Sequence, residues 1–185
     1  MKALLRDILI TAAGVIIIFL VTQNTIQISV IHGSSMEPQL QDGQRLIVNK
    51  VVYNFHPPER GDIIVFHLTS SPDTAPYIKR IIGLPGETVE IKQGTVYIHE
   101  DGKVLPLDEP YIETPAINPF EGDPIPNEEY FVLGDNRNNS DDSRKRWTVL
   151  HKNIIGKAWL SIWPPQKWGL APNYSLNEQI AESAP

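Results

Sequence analysis

Thr88-Val89-Glu90-Ile91-Lys92-Gln93-Gly94-Thr95-Val96-Tyr97-Ile98-His99 alternates apolar and polar side chains on both sides of Gln93-Gly94. Strict period two is the mark of a half-buried strand, and a two-residue connection ending in Gly supplies the positive φ of a tight hairpin. The stretch predicts two antiparallel strands. The same β-branched and aromatic character recurs, punctuated by Gly and Pro, in Arg45 to Tyr53, Asp62 to His67, Tyr77 to Leu84, Tyr130 to Leu133 and Ile154 to Trp163. Leu84-Pro85-Gly86-Glu87 has Pro and Gly where a type II turn wants them, and so separates two strands. The fold class that follows is mainly β, built on an antiparallel sheet.

The chain has 185 residues, which favours one domain with appendages and excludes a barrel-sized α/β enzyme. Hydrophobic residues are 41% and charged residues 21%, close to the globular average, so neither a disordered polymer nor a multi-span membrane protein fits. A formal net charge of −6 lacks the basic footprint of nucleic-acid binding, and no nucleic-acid partner is expected. Cysteine is absent, which removes thiol nucleophiles, Cys-ligated zinc and disulfides together.

Ahead of the β body, Lys2 and Arg6 precede an apolar run, Ile8 to Val21, with nothing more polar than Thr11. Its fourteen residues fall short of the ~20 that span a bilayer, so the span borrows Leu4 and Leu5 or extends through Thr22 to Ile31. The residues that follow, Val21-Thr22-Gln23-Asn24-Thr25, lack the small-residue pattern of a leader cleavage site, so an uncleaved anchor is expected. No Lys or Arg follows until Arg45, which puts the N-terminus in the cytoplasm and the rest outside. The expected organisation is residues 1–31 as cytoplasmic terminus and anchor helix, 32–163 as the β-rich body, and 164–185 as a polar tail that frays. Within the body, residues 105–127 hold six prolines, too many ring constraints for ladder pairing, and read as an excursion or satellite lobe. Of Trp147, Trp159, Trp163 and Trp168, the first three are expected to pack in the core, with contact at the lipid interface as the alternative.

No G-x-S-x-G, S-x-x-K, H-E-x-x-H or G-x-x-x-x-G-K-[ST] occurs. His32, His56, His67, His99 and His151 show no ligand-like spacing, and no metal or cofactor is expected. In Tyr77-Ile78-Lys79-Arg80-Ile81-Ile82 two adjacent cations interrupt an apolar strand and point to opposite faces. Arg keeps its proton in a protein whereas Lys loses it on burial, so Lys79, flanked on its face by Tyr77 and Ile81, is the candidate base. A lysine whose stem covers apolar surface while its amine stays in water is the alternative that the strand alone leaves open. His32-Gly33-Ser34-Ser35-Met36-Glu37-Pro38 sets hydroxyls on a backbone able to turn sharply. Gly134 to Arg144 is a polar run behind an apolar strand; read as a calcium loop it fails, since Arg137 replaces an oxygen ligand and the sixth-position Gly is missing.

Gly33 to Pro38, Arg60-Gly61-Asp62-Ile63-Ile64-Val65-Phe66, Tyr77 to Gly86 and Gly134 to Arg144 together resemble, in order, the sequence boxes of bacterial type I signal peptidases. The resemblance runs from the anchor to about Ala158. It implies an antiparallel β-sheet catalytic domain with one N-terminal transmembrane helix, in which Ser35 is the nucleophile and Lys79 the general base. It further implies that Ser140 hydrogen-bonds and orients the lysine, that Asp142 and Arg144 form a supporting ion pair, and that Ser35 lends its own amide to the oxyanion hole. Three features depart from the pattern. Gly33 stands where some members carry a second oxyanion donor, Gln39 replaces the usual Thr, and Trp147 and Leu150 stand where Gly and later Pro are usual.

Residues and resemblance meet on geometry. Fourteen residues separate Val21 from Ser35, which keeps the hydroxyl within about 45 to 50 Å of the anchor even in extended chain. The implied function is a membrane-anchored serine endopeptidase that removes signal peptides from secretory preproteins held in the same bilayer. An extended substrate puts residues −1 and −3 on one face, so two shallow pockets would read small residues there. The rivals are a membrane-tethered β-domain that only binds exported proteins, and a self-cleaving Ser/Lys regulator, which would need a DNA-binding module where this chain has an anchor.

Overall fold

A computed structural model describes residues 2–69 and 75–176. In chain order the elements are helix α1 (Lys2–Thr25) and strands β1 (Ile26–Val30), β2 (Arg45–Asn49), β3 (Ile63–Phe66), β4 (Tyr77–Gly83), β5 (Thr88–Lys92), β6 (Thr95–Glu100), β7 (Lys103–Pro106), β8 (Phe120–Glu121), β9 (Glu129–Leu133), β10 (Val149–Leu150), β11 (Ile154–Trp163) and β12 (Gly169–Leu170). They form an eight-stranded sheet in the order β1-β2-β11-β3-β4-β9-β10, with β12 beside β11, and a four-stranded sheet in the order β7-β6-β5-β8. Every strand pair is antiparallel.

The opening hairpin is β5 and β6, paired from Thr88 opposite His99 to Lys92 opposite Thr95. Both turn residues are left-handed, Gln93 at φ 51° and Gly94 at φ 85°, which matches the twist of the strands they join. Asp101 and Gly102 repeat the device at φ 48° and 76° and add β7, a strand that the prolines concealed. The Leu84 to Glu87 turn closes as expected, with Gly86 at φ 88° and the Glu87 amide donating to the Leu84 carbonyl at 3.2 Å.

Four expectations need correction. The anchor helix ends at Thr25, not near residue 31: Ile26–Val30 pair with β2 along their whole length. The strand from Arg45 stops at Asn49, because the Asn49 carboxamide oxygen accepts from the Val51 and Val52 amides and turns the chain. The tail is ordered well past Trp163. Ala171 and Leu176 are buried, and Asn173 bridges the Ile63 amide at 2.7 Å and the Ala158 carbonyl at 2.8 Å; the rest of that expectation, residues 177–185, lies outside the described residues. Trp159 and Trp163 are exposed, since they lie on the face of β11 opposite buried Gly156 and Ala158, with the register shifts around Leu160 and Ser161 bringing only Ser161 inward, whereas Trp147 packs on Phe66 and Tyr77. The Pro-rich excursion does leave the large sheet, but it supplies two short strands of the small one and buries Leu107, Tyr111, Ala116 and Ile125 in its core.

Arg6–Thr25 is twenty residues, apolar and exposed along its length. At 1.5 Å per residue it is about 30 Å long, the thickness of a bilayer's hydrocarbon core. Because β1 begins where the helix ends, the large sheet hangs directly from this segment, and Ser35 lies five residues beyond β1.

Candidate active site

Three segments build the site. Strand β4 is buried on both faces, so both of its cations are interior: Lys79 is 4% exposed and Arg80 fully buried. Arg80 satisfies its charge with a two-pronged pair to Asp135, at 2.9 and 2.7 Å, and stacks on Tyr111 with its guanidinium carbon 4.0 Å from the ring centre. Lys79 has no such partner: among the described residues no carboxylate lies within 4 Å of its amine. Its Nζ donates to Ser35 Oγ at 2.8 Å and to the Ile78 carbonyl at 3.0 Å, and sits 5.7 Å from the Tyr77 ring centre. Burial pushes the amine down from 10.5 to about 8, opposed by the more distant charges of Asp142, Asp141 and Asp135. A buried lysine in that range carries an appreciable neutral fraction near neutral pH, the form able to accept a proton.

Ser35 arrives on a loop between β1 and β2. Gly33 takes φ 84°, a conformation side chains resist, and its amide is held by Asp42 at 2.7 Å. Behind the hydroxyl, the Asn136 amide donates to the Ser35 carbonyl at 3.0 Å and the Asn136 side chain to the Ser34 carbonyl at 3.1 Å. The Ser35 amide itself has no hydrogen-bond partner among the described residues. Hydroxyl and amine open onto a cleft of about 410 Å³ whose walls include Val30, Ile31, Met36 and Ile78, with His32 and Asp141 also on its lining.

The third segment, residues 134–144, brings in the remaining candidates. Asp142 and Arg144 form a two-pronged ion pair, both bonds 2.8 Å, and Asp142 also accepts from the Gly134 amide at 3.1 Å. Ser140 does not make the expected hydrogen bond to the lysine. Its Oγ is buried without a hydrogen-bond partner among the described residues and packs on Gly134, whose absent side chain leaves the room; the donors of Lys79 are directed to Ser35 and Ile78 instead. Among the ion pairs outside the sequence expectations, two reach residues 134–144, Arg80 with Asp135 and Arg137 with Glu109. The adjacent cations of β4 were the visible signal for the first, whereas the second joins residues 28 apart with no shared periodicity.

A family model described as signal peptidase, peptidase S26, matches residues 4–163. The chain is 36% identical over 182 residues to signal peptidase IB of Staphylococcus aureus, covering 88% of this chain and 91% of that one. It is 45% identical over 145 residues to signal peptidase I of Leptolyngbya laminosa (75% and 70%) and 42% over 154 residues to probable signal peptidase I-2 of a Synechocystis strain (81% and 69%). Among solved structures, a signal peptidase I from Enterococcus faecalis aligns with 35% identity and a TM-score of 0.46, over 55% of this chain and 97% of that one.

Proposed function

The chain belongs to the signal peptidase family, peptidase S26, and from that premise we propose that it is a membrane-anchored endopeptidase with Ser35 as nucleophile and Lys79 as general base. Removal of signal peptides from preproteins by a serine peptidase is the activity the family carries. The observation that carries the finer reading is the 2.8 Å bond from a buried, carboxylate-free amine to a hydroxyl at the wall of a cleft.

In the reaction, neutral Lys79 takes the proton of Ser35 Oγ as that oxygen attacks the carbonyl carbon of residue −1. The Ser35 amide, without a hydrogen-bond partner among the described residues, is the donor assigned to the oxyanion that forms. Collapse breaks the peptide bond, and the Lys79 ammonium passes its proton to the departing amine. An acyl ester on Ser35 remains. Lys79, neutral again, takes a proton from water as the water attacks the ester, then returns it to Ser35 Oγ.

Substrate enters as an extended strand. The wall beside Ser35 begins at Val30, the end of edge strand β1, and includes apolar Ile31 and Met36, a lining that supports a preference for small side chains at −1 and −3, which share a face. Lys2 and Arg6 stand at the start of the span and no Lys or Arg follows it until Arg45, so the N-terminus faces the cytoplasm and the body lies outside. The outer face of the sheet supports contact with lipid. Register lines up Ile28, Ile47, Leu160 and Leu170 in one row and Val30, Arg45 and Trp163 in another, with Ile28 61% and Leu170 74% exposed and Ile28 three residues past the end of the anchor helix.

The test is cleavage of a preprotein in detergent, read by sequencing the new N-terminus. Ser35→Ala and Lys79→Ala are each expected to abolish it while leaving the circular dichroism unchanged. Normal cleavage by either variant refutes the assignment.

A further inference from the structure

The Pro-rich segment touches both halves of the site, and one carboxylate stands where the contacts cross. Glu109 is paired with Arg137 inside the protein, their side chains 8% and 1% exposed. Arg137 Nη1 donates to Glu109 Oε2 at 2.8 Å and Nη2 to Oε1, while Nε turns onto the Gly134 carbonyl at 3.2 Å. The Tyr111 hydroxyl donates to the same Glu109 Oε1 at 2.7 Å, and the Tyr111 carbonyl accepts from Gln39 Nε2 at 3.2 Å, four residues past the nucleophile. Nearby, Asn138 is clasped between the Ile117 amide and the Pro115 carbonyl, both at 3.0 Å.

These bonds converge on the backbone of Ser34 and Ser35. Gly134, which Arg137 holds by its carbonyl, is two residues from Asn136, and Asn136 holds both the Ser35 and Ser34 carbonyls. A guanidinium this deep requires a countercharge, since a buried charge left unpaired costs several kcal/mol. Prolines 106, 110 and 115 flank Glu109 and restrict the backbone that presents it, so little entropy is lost in holding the carboxylate there.

We propose that Glu109 is a positioning residue for Ser35: by pairing with Arg137 it fixes the Gly134 to Asn136 turn, and through that turn the backbone carrying the nucleophile. The proposal rests on Ser35 and Lys79 as the reacting groups, and gives the Pro-rich segment a part in the reaction without contact with substrate. Among the described residues none of the cleft's lining comes from the Pro-rich segment, so loosening this brace is expected to displace the hydroxyl from its attack position more than it weakens binding.

The experiment measures kcat and KM separately for a signal-sequence peptide, using the full chain in detergent micelles. Glu109→Gln is expected to lower kcat by on the order of tenfold to a hundredfold with KM within about twofold of the parent. Because that variant leaves Arg137 buried and unpaired, a second one, Glu109→Leu with Arg137→Leu, replaces the pair by apolar groups, a change that commonly preserves stability. It is expected to unfold at about the parental urea concentration yet keep the low kcat, because the bond to the Gly134 carbonyl is gone. Parental kcat in either folded variant, or a rise in KM alone, overturns the proposal. Lys79→Ala measured alongside separates the two readings: cleavage by that variant defeats the dyad, whereas its silence beside a fully active Glu109→Gln defeats only the role of Glu109.

Discussion

Replacing Lys79 by Met tests the buried amine twice, in activity and in stability. The folded chain lowers the amine from 10.5 to about 8. At pH 7 this raises the neutral fraction roughly 300-fold, to about a tenth of molecules, at a cost to folding of about 3 kcal/mol. The sign follows from proton counts. Between pH 8 and 10.5 the unfolded chain binds the proton and the folded chain does not, so stability rises with pH through that window, and the full penalty applies below about pH 8. Lys79→Met removes the penalty and forfeits hydrogen bonds worth about 1 kcal/mol, so at pH 7 it is expected to be about 2 kcal/mol more stable than the parent. Less than half the penalty is left at pH 9.5, which shrinks the advantage to about zero. The assay is urea unfolding of the full chain in micelles, followed by tryptophan emission and read as a difference between the two proteins, so that the raised Tyr53 and Tyr111 cancel. In parallel, kcat/KM of the parent is expected to climb about tenfold per pH unit below 8 and flatten above it. A Met variant less stable than the parent at pH 7, or an acidic limb near 6.5 that disappears in His32→Gln, refutes the buried-base reasoning.

Gly134→Ala is expected to cost at least about tenfold in kcat, because a Cβ there overlaps Ser140 Oγ and the Ser35 carbonyl oxygen and forces the nucleophile loop away; an active, normally folded variant counts against the packing described. Ser140→Ala removes a buried hydroxyl that makes no hydrogen bond among the described residues, so kcat and unfolding free energy are expected to change by less than about threefold and 1 kcal/mol; a large loss of kcat restores the hydrogen bond to Lys79 that is not made here. Brominated lipids are expected to quench Trp163 and Trp168, both exposed, more than half-buried Trp147, measured in single-tryptophan variants; equal quenching removes the support for a lipid-facing sheet.

Local chemistry made much of the fold readable. Period two in Thr88 to His99 and the Pro-Gly pair at residues 85 and 86 act through nearest neighbours, and those elements stand where the residues put them. What was misread depends on distant partners. Composition made residues 164–176 look loose, but Asn173 spans two strands of the large sheet and Arg80 donates to the Pro172 carbonyl at 2.9 Å. Trp159 and Trp163 look like core residues by type, but they alternate with buried Gly156 and Ala158 and so face outward, a phase that the tertiary partners of β11 set. In the site, the nearness of Ser35 to Lys79 could be inferred from residue chemistry joined to family order. The direction of the Ser140 hydroxyl could not, because it depends on where the lysine spends its donors.

Lys79 and Arg80 show how one strand carries both a reactive and a structural cation. On opposite faces of β4, both lose their water, and the protein answers differently on each side. The guanidinium, which holds its proton, receives Asp135, the Gly61 and Pro172 carbonyls and a tyrosine face, and so pins the loop containing Gly134 against the strand. Among the described residues the amine receives only a hydroxyl and a carbonyl. Supplying it with a carboxylate would lift its pKa back toward the ordinary value and remove the neutral form. Asp142, the loop carboxylate whose charge acts most on the amine, is held off by Arg144 and the Gly134 amide, which occupy both of its oxygens. On this account the ion pair at Asp142 and Arg144 matters to the reaction chiefly by keeping a negative charge away from Lys79. Arg144→Met should then raise the midpoint of the acidic limb as the freed carboxylate turns toward the amine, and an unmoved midpoint with reduced kcat would assign the pair to loop structure alone.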